Sequence, residues 1–149
     1  KEIPLFVKSF LNPLDEGTCV GKGVTLEPMV SCFILKKNQV LISLSSLDFN
    51  FMMEDHIGNV FKWLHAYKMK VELIQNSAIS FSVCIDNKYD TLEPLLNKLR
   101  STFKVQWNEN VTLYTIRHAD AKQVKALLKD KELLLKQESR GTVQLVVKE

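Results

Sequence analysis

The sequence lacks the patterns that usually mark a catalytic or metal-binding site. Its three cysteines, Cys19, Cys32 and Cys84, are widely spaced and form no C-x-x-C pair, so neither a zinc site nor a disulfide framework is expected. Its three histidines lie outside any H-E-x-x-H motif, and no G-x-S-x-G motif is present. We therefore expect buried, free thiols in a reducing cytoplasm, and no catalytic residue, metal or cofactor within this chain.

Long apolar runs and strong charge are lacking as well. No run approaches the roughly 18 apolar residues of a membrane span, and no stretch resembles a signal peptide. The net charge of +3 is too small to indicate nucleic acid or a membrane surface as a partner. The 149 residues suffice for one compact domain or two small ones, and we expect a cytoplasmic protein.

The periodicity of apolar residues between positions 40 and 107 alternates between that of a strand and that of a helix. The predicted elements are strands at Val40–Leu44, Val71–Ile74, Ile79–Ile85 and Lys104–Trp107, a helix with Ile57, Val60, Phe61 and Leu64 on one face, and a helix with Leu92, Leu95, Leu96 and Leu99. Asp90 is predicted to cap the second helix, with Glu93 as its capping-box partner. The order β-α-β-β-α-β predicts a ferredoxin-like unit with two helices on one face of an antiparallel sheet.

A second, incomplete copy of this unit is predicted around the first. Its elements are strands at Val111–Ile116, Leu133–Lys136 and Thr142–Val147, and a helix capped by Asp120. Met29–Leu35 supplies a further strand, and Lys36–Asn38 is predicted to end it in a polar turn. The predicted fold is therefore α+β, with two ferredoxin-like (βαββαβ) units. The first unit is inserted in the second, and the second lacks its last helix.

Several motifs, taken in order, resemble the regulatory part of aspartokinases. The strand end S-L-S-S-L-D-F at 43–49, then Val71–Ile74 (V-E-L-I), then the turn at 76–78 resemble the first ACT domain of that family. The stretch 3–20, with Asn12-Pro13 and Gly17-Thr18, resembles the end of the family's kinase domain. The resemblance implies three parts: 1–21 as the kinase tail, 39–108 as ACT unit 1, and 22–38 plus 109–149 as ACT unit 2.

The resemblance also implies a function. The parent protein would use MgATP, bound in its kinase domain, to phosphorylate the β-carboxylate of aspartate. This chain would sense an end-product amino acid, most directly lysine, and would form a homodimer through its ACT units, in contact with its own kinase domain. The first residue is Lys1 rather than Met, which indicates a piece of a longer protein.

An effector site follows from the same resemblance. The carboxylate of an amino acid suits the free N–H groups of a helix start, and its ammonium suits the acidic residue of V-E-L-I, which is Glu72. His56 stands where the family has Gly, and Ala78 where it has Glu. The residues assigned to the effector site are Ser46, Asp48, Phe49, Asp55, His56, Ile57, Glu72, Asn76 and Ser77.

Two other interpretations remain open at this point. The chain could be a structural dimerisation module whose effector pocket has decayed, with Glu72 an exposed strand carboxylate and Asn76-Ser77 only a turn. It could also be a stand-alone amino-acid sensor, which the kinase-tail resemblance argues against. The lysines at 122, 125 and 129 are predicted to form a solvated helix face, because acidic residues lie beside them.

Overall fold

The computed structural model describes residues 3–21, 29–47 and 52–149. The chain divides into two compact units, Lys1–Val30 and Ser31–Glu149. In the first, strands β1 (Leu5–Val7) and β2 (Thr18–Val20) pair antiparallel and form a short hairpin. Gly17 has a φ of 75°, and a Cβ there would lie 2.5 Å from the carbonyl oxygen of Val7, so this turn requires glycine.

The second unit is a six-stranded antiparallel sheet with three helices. Its elements are β3 (Cys32–Ser46), α1 (Glu54–Ala66), β4 (Lys70–Asn76), β5 (Ser80–Asp86), α2 (Leu92–Arg100), β6 (Phe103–Arg117), α3 (Ala121–Leu127), β7 (Glu132–Ser139) and β8 (Thr142–Lys148). The strand order is β4-β5-β3-β6-β8-β7. This arrangement confirms the predicted fold class, with one ferredoxin-like unit inserted in another. None of the helices in the described residues is both long and apolar enough to cross a membrane.

Strands β3 and β6 run through both ferredoxin-like units. Residues 39–46 of β3 and 103–108 of β6 join β4 and β5 in what we call the first half-sheet. Residues 32–36 of β3 and 111–117 of β6 join β7 and β8 in the second half-sheet. The borders of the three parts that the resemblance implied remain a prediction.

The polar runs inside β3 and β6 are irregularities within one strand, not turns. The register between β3 and β6 shifts on both sides of Gln39, and Asn38 and Asn110 both have a φ of 56°. Asparagine tolerates this left-handed conformation better than most residues. The prediction that Lys36–Asn38 ends a strand, and that two separate strands make up β6, was therefore wrong. Beyond these irregularities β3 and β6 pair with each other again, so each continues as one long strand.

Helices α1 and α2 cover one face of the first half-sheet. The predicted stripe of α2 is buried, whereas α1 buries Val60 and Leu64, packs Ile57 partly on the core and leaves Phe61 exposed, so the prediction for Phe61 was wrong. The residues buried in this cluster include Ile42, Leu44, Val60, Leu64, Phe81, Val83, Leu95, Leu96 and Leu99. The predicted cap of α2 was wrong, because Asp90 has a φ of 53° and the N-cap residue is Thr91. Thr91 is fixed from outside the helix: its N–H donates to Asn87 Oδ1 at 3.0 Å and its hydroxyl to the carbonyl oxygen of Tyr67 at 2.6 Å.

Helix α3 packs on the second half-sheet. Asp120 caps it as predicted, accepting from the backbone N–H of Lys122 at 3.2 Å. Val124 of α3 packs on a buried cluster with Ile116, Val143, Leu145 and Val147. Phe33 and Leu35 of β3, in the same half-sheet, stay exposed.

The helix-free faces of the two half-sheets pack on each other. A single buried cluster contains Leu41, Leu73 and Cys84 from the first half-sheet with residues of the second, namely Val111, Leu113, Leu135 and Val146. The expectation of three buried thiols holds for Cys84 but was wrong for Cys19 and Cys32, which are exposed. Both of these lie outside the packed clusters, Cys19 in the short hairpin and Cys32 at the first residue of β3.

Candidate functional site

The start of α1 meets the turn between β4 and β5 at one end of the first half-sheet. The backbone N–H of Met52 donates to the carbonyl oxygen of Ala78 at 2.9 Å. The carbonyl oxygen of Met53 then accepts from the N–H groups of His56 and Ile57, at 3.0 and 3.2 Å, which begins the helix. The first turn of α1 and the polar β4–β5 turn therefore lie side by side.

Ser77 holds the β4–β5 turn closed. Its backbone N–H donates to the carbonyl oxygen of Ser80 at 2.8 Å, and its hydroxyl accepts from the backbone N–H of Ser80 at 3.1 Å. Asn76 precedes it as the exposed last residue of β4, in register with Phe81 of β5. Ser77 thus has a local structural task, and its part in ligand binding remains a prediction.

Phe103 brings Ser46 and His56 to the same end of the sheet. Ser46 is in register with Phe103 across the β3–β6 ladder. The rings of His56 and Phe103 meet edge to face, with centroids 5.7 Å apart. His56 Nδ1 is buried and has no hydrogen-bond partner among the described residues. Such a nitrogen is costly to leave unpaired, which makes it a polar group for a bound molecule or water to satisfy.

Six of the nine predicted site residues therefore gather at this end of the first half-sheet: Ser46, Asp55, His56, Ile57, Asn76 and Ser77. Asp55 is exposed and Ile57 packs partly on the core. Asp48 and Phe49 lie outside the described residues. Glu54 joins Asp55 in the first turn of α1, where the helix dipole favours acidic side chains.

Glu72 lies apart from these six residues. It lies at a register shift of β4 between Val71 and Leu73, four residues before Asn76, which corresponds to about 13 Å along a strand. Its carboxylate forms ion pairs with Lys36 and with Lys70, the latter at 3.1 Å, and its side chain is 10% exposed. The interpretation of Glu72 as an exposed strand carboxylate was therefore wrong.

The two lysines beside Glu72 stabilise its ionised form. Burial alone would raise the pKa of Glu72, but the hydrogen bonds from Lys36 and Lys70 outweigh it, and the pKa lies below its usual value. The hydrogen bond between Lys70 and Glu72 in turn raises the pKa of Lys70. In the cluster between the half-sheets, burial, together with the nearby Glu72 charge, raises the pKa of the Cys84 thiol to about 12. Glu72 is thus ionised and Cys84 neutral over the physiological range.

Sequence reasoning missed Lys36 as a partner of Glu72. Lys36 had been placed in a turn, whereas it belongs to β3 and is in register with Leu113 of β6. The signal that could have located it is the apolar run on both sides of the K-K-N triplet, which fits one long strand. Within the part of the chain that the structure describes, no group of three or more His, Cys, Asp or Glu could hold a metal ion.

The geometry thus consists of two ferredoxin-like halves that share two strands, with polar groups at a helix start of the first half. No protein-family model matches the chain. In sequence, the chain is 29% identical over 122 residues to lysine-sensitive aspartokinase 3 of Escherichia coli K12, a match that covers 77% of this chain and 27% of that protein.

Solved structures agree with this similarity. Aspartokinase III of E. coli, in complex with lysine and aspartate, matches with a TM-score of 0.74 and 26% identity, over 98% of this chain and 36% of that one. The aspartate kinase of Clostridium acetobutylicum has the same fold, with a TM-score of 0.79 at 17% identity, over 99% of this chain and 38% of that one. A putative C-terminal regulatory domain of aspartate kinase from Porphyromonas gingivalis W83 matches at 0.64 and 18% identity, over 80% and 86%.

The chain is thus similar, in sequence and in fold, to the regulatory region of aspartokinases, and the resemblance found in its motifs is confirmed. It spans 27% of the curated relative and 36% of the lysine-complexed structure.

Proposed function

We propose that this chain is the regulatory part of an aspartate kinase, where it senses an end-product amino acid, lysine first of all, and mediates dimerisation. The parent protein would convert ATP and L-aspartate to 4-phospho-L-aspartate, with MgATP bound in its kinase domain. It would work in the cytoplasm, where exposed thiols such as Cys19 and Cys32 stay reduced. The 26% identity to a structure solved in complex with lysine supports this choice of effector.

The observation that carries the proposal is the contact of the α1 start with the β4–β5 turn through Met52 and Ala78. The first N–H groups of a helix suit a carboxylate, and the helix dipole adds to their attraction. An ammonium group of the ligand requires an acidic acceptor, and Glu72 is ionised and little exposed. Carboxylate and ammonium together are the recognition elements of a free amino acid.

Glu72 and the β4–β5 turn of one copy are about 13 Å apart along β4, further than a single amino acid reaches. We therefore place the effector between ACT units of two copies, with the helix start of one copy and Glu72 of the other. Regulation then follows by linkage: a ligand that binds one dimer arrangement more tightly than another shifts the population toward that arrangement.

Calorimetric titration of the purified chain with lysine, then threonine and methionine, tests the proposal. We expect saturable binding of lysine, and at least roughly tenfold weaker binding in Glu72→Gln, because a little-exposed ion pair loses its charged acceptor. Glu93→Gln is the matched control, since Glu93 lies on the outer side of α2 and is exposed. Sedimentation measured in parallel reports whether the binding species is a dimer.

A structural dimerisation module is the second candidate. It is favoured by the existing ion pairs of Glu72 with Lys36 and Lys70, and by the use of the Ser77 hydroxyl within its own turn. A folded, dimeric sample that binds none of the three amino acids would support this candidate and reject the sensor. Binding that Glu72→Gln leaves unchanged would keep the sensor but remove Glu72 from it.

A further inference from the structure

We propose that Lys36 competes with the effector's ammonium group for Glu72, so that effector binding releases Lys36 and changes the contact between the two half-sheets. This inference rests on the proposed function, because it concerns the same acceptor. It adds a residue that sets the affinity of the site and a route by which occupancy reaches the second half-sheet. No part of it depends on which end-product amino acid is the natural ligand.

The first step is the position of Lys36. It lies on the part of β3 that belongs to the second half-sheet, in register with Leu113. Glu72 lies on β4, at the outer edge of the first half-sheet, 36 residues away in sequence. Their ion pair therefore joins the two half-sheets directly, beside the buried cluster that contains Leu73 and Leu113.

The second step is that both carboxylate oxygens of Glu72 are already in use. Oε2 pairs with Lys36 and Oε1 with Lys70. A third ammonium group binds more tightly when one of these lysines leaves, because three like charges around one carboxylate repel one another. Two lysines of the chain itself therefore already bind the Glu72 carboxylate that the effector's ammonium group requires.

The third step identifies Lys36, rather than Lys70, as the lysine whose displacement from Glu72 changes the contact between the half-sheets. The side chain of Lys36 is 38% exposed, whereas that of Lys70 is 69% exposed. Charge pairs gain more where water screens them less, so an ammonium gains more in the position of Lys36 than in that of Lys70. Displacing Lys70 would also leave the half-sheets joined, since Lys70 and Glu72 both lie on β4.

Titration of the full chain with L-lysine tests the competition, with Lys36→Met, Lys70→Met and Lys37→Met compared with the wild-type chain. We expect Lys36→Met to bind lysine roughly fivefold more tightly, which corresponds to the loss of one competing ion pair at the upper end of the range for partly exposed pairs. Lys37→Met should stay within about twofold, and it removes the same charge from the adjacent residue. It therefore separates direct competition from the general loss of positive charge.

Other outcomes are distinguishable. If the wild-type chain binds lysine and Lys36→Met binds it no more tightly, or if only Lys70→Met gains affinity, the inference is wrong and the sensor stands. If no variant binds lysine, threonine or methionine, the proposed function fails and this inference fails with it. Binding by Lys36→Met alone would support the inference, because the internal competitor would then have masked the site.

Hydrogen exchange tests the release of Lys36 separately. Saturating lysine should speed amide exchange at residues 32–36 of β3 in the wild-type chain, because their tie to β4 is lost. In Lys36→Met, exchange there should already be faster and should change little on lysine addition. Equal exchange with and without bound lysine in the wild-type chain would overturn the proposed route to the second half-sheet.

Discussion

The thiol of Cys84 and the carboxylate of Glu72 illustrate how position decides chemistry at the scale of single residues. Cys84 is fully buried between the half-sheets, where desolvation, with a smaller contribution from Glu72, keeps its proton on. Glu72, on the neighbouring strand, is kept ionised by two lysines. The sequence offers no way to distinguish Cys84 from Cys19 or Cys32 in reactivity, since all three are isolated cysteines.

Native alkylation distinguishes them. With iodoacetamide near pH 8, Cys19 and Cys32 should react, while Cys84 should react only after unfolding, because its pKa is about 12. A variant with Cys19→Ser and Cys32→Ser serves as the control, and should resist alkylation until denaturant is added. Alkylation of this double variant in its native state would contradict the burial of Cys84.

The raised pKa of Cys84 also makes the free energy of unfolding depend on pH. Its ordinary value is 9.0 and its folded value about 12, so between these the unfolded chain releases a proton that the folded chain keeps. The contribution of Cys84 to stability is therefore complete below pH 9 and is lost as pH rises toward 12.

Glu72 could be singled out from the sequence, but its ion-pair partner Lys36 could not. Glu72 was found by its place in the V-E-L-I strand, which is local in sequence. Lys36 lies 36 residues away and approaches Glu72 only because β3 crosses between half-sheets. Pairings of this kind depend on the completed sheet, and the polar K-K-N triplet gives the opposite local signal, that of a turn.

At the scale of elements, helices were easier to predict than their caps. Helices α1 and α2 bury most of their predicted apolar stripes, yet the cap of α2 was assigned to Asp90, one residue before the true N-cap, Thr91. A contact with Tyr67 fixes that start, and no local pattern encodes it. Asp120 of α3 was predicted correctly because its capping bond to Lys122 is local.

The cap of α3 can be tested by mutation. Asp120→Ala should lower the free energy of unfolding by about 1 kcal/mol, because it removes the acceptor for the N–H of Lys122. Asp130→Ala is the matched control: this exposed aspartate follows α3 and should cost less than about 0.5 kcal/mol. Urea unfolding followed by circular dichroism measures both. Equal losses in the two variants would show that charge, and not capping, stabilises this region.

At the scale of the whole molecule, the two half-sheets share two strands and a buried cluster. Strands β3 and β6 each contribute to both, and the cluster of Leu41, Leu73 and Cys84 with the second half-sheet is buried between their helix-free faces. A unit that shares two central strands and a core cannot lose one half without exposing the other. We therefore expect residues Ser31–Glu149 to unfold in a single cooperative transition.

The two tryptophans make this expectation testable, because Trp63 and Trp107 both belong to the first half-sheet or its helices. Leu145 is fully buried beneath α3 in the second half-sheet, and Leu145→Ala should cost about 2–5 kcal/mol. If the halves unfold together, tryptophan fluorescence and circular dichroism will show the same shift in midpoint at a fixed protein concentration. Leu96→Ala, in the core beneath α2, is the matched control on the tryptophan side and should shift both signals as well. A Leu145→Ala protein whose fluorescence midpoint stays at the wild-type value would mean that the first half-sheet folds without the second, and that the shared strands do not couple them.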